Sequence, residues 1–308
     1  MVCSPGRGKR RSHPRPDSCK GATMTHRPEE KFILTDRLRM HYLEWSGDPR
    51  RTMVLLHGIG DSAHVWDDFA GKAAGRHRVL CLDQRGHGLS QWAAPPPYGW
   101  NEYRCQLEGY VEALGLEGFV LVGHSMGALH ATRFAALRPE KVRGLVHADI
   151  EPRPPDWNRK YLLNLYRDLP FFYDTLDDVV REARKNSPYA DPEMLSRIAS
   201  ATLARGEDGK FRHRFDREVL SHFDRYDLEP CLRNIRCPVL IVRGEESRVM
   251  GTKAARDMKN AIPGSRVAEI GKAAHPVHTD NPGEFYRTVS RYLEETGLAV
   301  RPERKDSP

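Results

Sequence analysis

The run VLVGHSMG at residues 120 to 127 sets a serine in the spacing G-x-S-x-G, with Gly123, Ser125 and Gly127. It follows an apolar β-rich run and precedes the helical stretch ALHATRFAALRP. A serine on a sharp strand-to-helix turn stands clear of the sheet, and the free N–H groups of the helix start favour negative charge developing beside it. Such a residue is a candidate nucleophile. Because a serine hydroxyl is barely ionised at neutral pH, a base must take its proton. Fourteen histidines compete for that role, and two of them, His275 and His278 in GKAAHPVHTDNP, lie between the last strand-like run and the last helical one. His124 adjoins the serine, but neighbouring side chains at a sharp turn diverge, and His57 suits a part in its own loop. The base needs a carboxylate that accepts from its far nitrogen, fixing the tautomer and stabilising the imidazolium. Glu245 and Glu246 in VLIVRGEESRVM and Asp149 in HADIEP are placed to try.

These side chains have to be carried by a scaffold. From residue 31 onward, short β-rich runs alternate with helical stretches, the pattern of a mostly parallel sheet covered by helices on both faces. The runs predict strands at 31–35, 38–45, 52–58, 78–83, 119–125, 142–150, 238–244 and 266–271. The middle ones are apolar throughout, as interior parallel strands are. Helices are predicted at 62–73, 101–114, 127–137, 252–261 and 282–295, the last with Phe285, Val289 and Tyr292 at helical spacing. The alternation breaks between residues 152 and 230, where EPRPPDW leads into polar and aromatic helical segments and then a turn at GEDGK. Both ends of this stretch return to one sheet, so it reads as a cap inserted over the carboxyl ends of the strands. The expected organisation is a disordered basic tail (1–30), a core (31–151 and 231–297), the cap (152–230) and a flexible C-terminal tail (298–308).

The order HGIG (57 to 60), DQRGHGLS (83 to 90), GHSMG (123 to 127) resembles the α/β-hydrolase superfamily over about residues 31 to 295. The resemblance implies an eight-stranded, mostly parallel α/β sheet with a helical cap. It also implies an oxyanion hole made by the backbone N–H groups of Ile59 and Met126, with His275 as the catalytic histidine, and it makes DQRGHGLS a structural loop. In the commoner arrangement of the superfamily the acid stands three residues after the glycine that closes the strand at 238–244. That position is Ser247, which carries no charge. A branch that includes certain haloalkane dehalogenases and serine hydrolases keeps the acid after the strand that follows the nucleophile helix. Asp149, 24 residues beyond Ser125, is similar to that branch. The expected triad is therefore Ser125, His275 and Asp149, with Glu246 and Glu245 as alternative acids.

Composition narrows the class of function. The chain of 308 residues has 39% hydrophobic and 30% charged residues and a net charge of +7, which suits a globular protein with a sizeable core. Residues 1–30 carry +4 of that charge and residues 301–308 carry +1, and a basic footprint confined to tails is not that of a nucleic-acid-binding body. No apolar run approaches the ~18 residues of a membrane helix, and the opening MVCSPGRGKRRSHPRPDSCKGAT has no apolar segment of the secretory kind. Met24 offers an alternative start to the chain. Six cysteines without a C-x-x-C pair suit a reducing cytoplasm. An H-x-x-H metal pair at 275 and 278 lacks carboxylates beside it, so no metal and no cofactor are expected.

A serine nucleophile, unlike an aspartate, implies attack on an acyl carbon and an acyl-enzyme that water then hydrolyses. The expected activity is hydrolysis of a carboxylic ester or lactone, with a small-molecule substrate and neither nucleic acid nor membrane as partner. The alternatives are C–C bond or amide hydrolysis on the same triad, and a small-molecule receptor without turnover. Trp66, Trp92, Trp157, Phe171, Phe172 and Tyr173 are candidates to line an acyl pocket, and Arg212, His213 and Arg214 to meet an anionic substrate. The residues do not set the oligomeric state.

Overall fold

The computed structural model describes residues 27–35, 37–92, 98–221 and 226–299. The GKRR run, Cys3, Cys19, the alternative start at Met24 and residues 300–308 lie outside the described residues. The N-terminal half supplies β1 (Glu29–Thr35), β2 (Leu38–Trp45), β3 (Thr52–Leu56), α1 (Asp67–Ala73), β4 (Arg78–Leu82), α2 (Trp100–Ala113), β5 (Phe119–His124), α3 (Met126–Leu137) and β6 (Val142–Ala148). The chain then leaves the sheet through α4 (Asp156–Arg167), α5 (Leu176–Ala183), α6 (Pro192–Thr202), a hairpin of β7 (Leu203–Arg205) and β8 (Phe211–His213), α7 (Glu218–Ser221) and α8 (Glu229–Leu232). It returns with β9 (Val239–Gly244), α9 (Thr252–Ala261), β10 (Arg266–Ile270), α10 (Val277–Asp280) and α11 (Pro282–Glu295).

Eight strands form one sheet in the order β1-β2-β4-β3-β5-β6-β9-β10. Strands β1, β2 and β4 pair antiparallel at one end, and the pairs from β4 to β10 are parallel. Every residue of β3, β5 and β9 is buried, because helices cover both faces and leave no polar side to alternate. Val54, Leu56, Leu121 and Ile241 face one apolar cluster with residues of α2, α3 and α9, while Met53, Leu55, Val122 and Val242 face another with residues of α1 and α11.

All eight expected strands are present, each within a few residues of its predicted bounds. The stretch predicted as one helix over 62–73 is a 3-10 turn, Ala63–Trp66, followed by α1. Leu298, assigned from sequence to the flexible tail, is instead buried and packs where Gly144 has no side chain. The GEDGK turn joins β7 to β8, with Gly206 N–H donating to Lys210 O at 2.9 Å.

Candidate active site

Strand β5 ends at the centre of the sheet, and Ser125 makes the turn from it into α3 with φ 52° and ψ −124°. A non-glycine residue at positive φ is strained, at a cost of about 1–3 kcal/mol, and persists where its surroundings over-determine it. The flanking glycines supply that constraint. A Cβ on Gly123 would stand 2.3 Å from Gly127 O, and one on Gly127 would stand 2.4 Å from Leu56 O and 2.5 Å from His57 O. The helix start and the HGIG loop thus meet at backbone distance, which only glycine permits.

The structure brings Ser125, His275 and Asp149 together. His275 Nε2 lies 2.9 Å from Ser125 Oγ, and His275 Nδ1 lies 2.8 Å from Asp149 Oδ2. A carboxylate only accepts, so Nδ1 carries the proton and Nε2 offers its lone pair to the serine hydroxyl. Asp149 has φ 56°, is fully buried, and leaves the end of β6 toward the end of β9. Its Oδ1 accepts from Gly244 N–H at 2.9 Å, and its Oδ2 also accepts from the Ser247 hydroxyl at 2.5 Å. A buried charge is tolerable when its lone pairs are satisfied in this way.

The other candidate acids lie elsewhere. Glu246 accepts from the Tyr189 hydroxyl, and Glu245 is exposed beside Gly271. His278 stacks on Trp66 at 4.3 Å between ring centroids, and burial lowers it to about 3, so it stays neutral. His124 makes no hydrogen bond to the serine hydroxyl, and its Nε2–H donates to His275 O at 2.9 Å. The neighbour of Ser125 therefore steadies the backbone of His275.

The HGIG loop is tied down by the DQRGHGLS loop. Gln84 N–H donates to His57 Nε2 at 3.0 Å, Gln84 Nε2 donates to His57 O at 2.6 Å, and Gly60 N–H donates to His87 Nε2 at 3.0 Å. Burial lowers His87 to about 3, so its ring keeps the lone pair that the Gly60 contact needs. Asp83 accepts from Ala63 N–H at 2.6 Å, from Leu89 N–H at 2.8 Å and from His41 Nδ1 at 2.7 Å. Asp83 and His87 hold loops, as expected from sequence. Ile59 lies on the loop so braced, and Met126 opens α3, whose first amides have no partner within the helix.

A cavity of about 360 Å³ opens over His275, roofed by Tyr161, Leu165 and Tyr166 of α4 and by Leu195 and Ile198 of α6. Of the six aromatic candidates only Tyr173 lines it. Trp66 is buried beneath it, while Trp92, Trp157, Phe171 and Phe172 are exposed. His213 also lines the cavity, whereas Arg212 pairs with Asp208 at 2.6 Å. The cavity also takes in Asp61, which the sequence reading did not single out, and His124, which it weighed only as a base. The aspartate directly after HGIG was the available signal for the first. Among the described residues no group of three His, Cys, Asp or Glu side chains is placed to hold a metal ion.

A family model described as alpha/beta hydrolase fold matches residues 51–282. Over 248 residues the sequence is 27% identical to a 2-(acetamidomethylene)succinate hydrolase of Mesorhizobium japonicum, covering 79% of this chain and 87% of that one. Over 265 residues it is 26% identical to an esterase of Mycobacterium tuberculosis, covering 82% and 85% respectively. The crystal structure of an E-2-(acetamidomethylene)succinate hydrolase superposes with a TM-score of 0.80 at 24% identity, over 87% of this chain and 100% of that one. At that identity the structural likeness speaks for the fold.

Proposed function

The chain belongs to the alpha/beta hydrolase fold family and is a hydrolase, and on that premise we propose that it cleaves a carboxylic ester or lactone through an acyl-enzyme on Ser125. The observation that carries this reading is the unbroken hydrogen-bonded chain from Ser125 through His275 to Asp149. Ser125 Oγ attacks the acyl carbon as its proton passes to His275 Nε2, and Asp149 stabilises the imidazolium. The tetrahedral oxyanion is received by the N–H groups of Ile59 and Met126, each contributing about 3 kcal/mol of barrier lowering. The imidazolium gives its proton to the leaving oxygen. Water, deprotonated by the same histidine, then cleaves the acyl-enzyme and restores the serine.

We take residues 152–230 as the cap that shapes the substrate, since its helices roof the cavity. The partner in this reading is a small molecule and no cofactor takes part. The cytoplasm is the proposed location, in keeping with four described cysteines that are all unpaired. No helix among the described residues is long and apolar enough to cross a membrane. The test is fluorophosphonate labelling followed by assay of an acyl-length series of esters, lactones and amides. Labelling abolished by Ser125→Ala, with ester turnover lost in the same variant, is the expected result. Failure of the folded protein to label would overturn the reading. Nanomolar ligand binding indifferent to Ser125→Ala, without turnover, would make the protein a receptor.

A further inference from the structure

Two polar atoms beside the nucleophile have no part in the chemistry above. On the side of Gly58 where a side chain would begin, Asp61 Oδ2 and His124 Nδ1 each stand 3.1 Å from the Cβ position, and Ser125 Cβ stands 3.3 Å from it. The missing side chain thus lets a carboxyl oxygen, an imidazole nitrogen and Ser125 close in on one side of Gly58. His124 is buried, and its Nδ1 has no hydrogen-bond partner. Because Nε2 donates to His275 O, Nε2 carries the proton and Nδ1 presents a lone pair. Burial, with His278 and His275 close by, keeps the ring from taking a second proton. Asp61 and His124 both line the cavity, and no hydrogen bond to the Asp61 carboxyl is present among the described residues. The other carboxylates of the cavity are engaged, Glu182 with Lys185 at 2.6 Å and Glu246 with Tyr189.

Above about pH 7 the Asp61 carboxyl is ionised, and it and His124 Nδ1 are then two acceptors that only a ligand can supply with a donor. We propose that Asp61 and His124 Nδ1 form a recognition pair for a hydrogen-bond donor on the substrate, an O–H or N–H carried on the acyl group next to the scissile carbon. Asp61, His124 and His275 line one cavity, and Asp61 Oδ2, His124 Nδ1 and Ser125 Cβ all stand within 3.3 Å of one point beside Gly58, so the pair adjoins the place where an acyl group on Ser125 Oγ begins. The substrate class is then 2-hydroxyacyl or 2-aminoacyl compounds rather than plain alkyl esters. In the free protein, burial raises Asp61 to about 7, with His275 opposing. An arriving donor gives the carboxylate the partner that the fold withholds. The opposite preference, for a substrate carboxylate at this point, would set two negative groups against each other. This inference deepens the hydrolase reading and rests on it.

The test compares ethyl 2-hydroxyoctanoate with ethyl 2-methoxyoctanoate, which differ in the donor, at pH 8 by titration of released acid. The wild type is expected to favour the hydroxy ester about 10- to 100-fold in kcat/KM, the range of one charge-assisted hydrogen bond. In Asp61→Leu the ratio falls to about 1, and in the isosteric Asp61→Asn it takes an intermediate value, with fluorophosphonate labelling of Ser125 reporting that each variant is folded. A wild-type ratio near 1, or a ratio that survives in both variants, overturns the proposal while leaving the hydrolase reading intact. If neither ester is cleaved, the ester reading fails instead. Calorimetric binding of the two esters to Ser125→Ala then decides the recognition pair, with equal affinities overturning it and tighter binding of the hydroxy ester supporting it.

Discussion

Ser247 donates its hydroxyl to Asp149 Oδ2 at 2.5 Å and accepts from the amides of Val249 and Met250 at 3.1 and 3.2 Å. The residue at the position where the commoner arrangement keeps the acid therefore donates to Asp149, the proposed acid, on the neighbouring strand end. Through Ser247 two backbone dipoles polarise a hydroxyl toward the carboxylate, and Gly244 N–H adds a direct donor. The carboxylate that fixes His275 is itself fixed by β9.

Asp149→Asn is expected to lower kcat by about 10³- to 10⁴-fold, because an amide facing His275 Nδ1 favours the wrong tautomer. Glu245→Gln and Glu246→Gln should each stay within about threefold of wild type, since neither touches His275. Steady-state kinetics on one ester checks the ordering. A crippled Glu246→Gln with an active Asp149→Asn would return the acid to the loop after β9.

Ser247→Ala removes a donor from a buried carboxylate and leaves two amides without their acceptor. It should lower kcat about tenfold and destabilise the fold by about 1–3 kcal/mol. Denaturant unfolding and kcat, measured on one preparation, separate the two effects. Destabilisation with unchanged kcat would make Ser247 a structural residue alone.

Gly127→Ala sets a methyl carbon 2.4 Å from Leu56 O, a distance that backbone must move to relieve. Stability should fall by about 2–4 kcal/mol, and fluorophosphonate labelling should slow because the HGIG loop shifts with α3. Thermal melting and labelling rate read the two consequences. A melting temperature within a degree of wild type would show that the turn yields freely.

Asp61 gives the fold a pH dependence of definite sign. Burial raises its folded-state value to about 7 from an ordinary 3.8, so the folded protein holds a proton that the unfolded chain releases between those values. Its contribution to stability is complete below about pH 4, is lost as pH rises toward 7, and stays lost above. Asp61→Asn should therefore be more stable than wild type at pH 8, with the advantage shrinking toward pH 4. Melting temperatures of the pair across that range test it, and a constant difference would sink it.

The strands were legible because burial on both faces writes continuous apolar runs, as in β3, β5 and β9, whereas the helices between residues 152 and 230 were read only as helical segments without bounds. The helix predicted over 62–73 was not legible in detail, since its first turn is held by the Asp83 carboxylate accepting from Ala63 N–H, a contact from another strand end. Leu298 escaped notice because one leucine beyond a helix shows nothing of the glycine that makes room for it. Asp61 was missed, and His124 was weighed only as a base, for the same reason. Their lone pairs matter only through what surrounds Gly58.

Local pattern by itself determined the serine turn: strand period, glycine on both sides and helical period are all properties of neighbours in the chain. Tertiary structure alone decided which carboxylate meets His275. Asp149 and Glu246 both follow strands of one parallel sheet, so sequence spacing brings both to the same edge. Only the pairing of β6 with β9, the positive φ of Asp149 and the donors from Gly244 and Ser247 aim one of them at the imidazole. A charge needs partners to be buried, and those partners come from a strand nearly a hundred residues away in the chain.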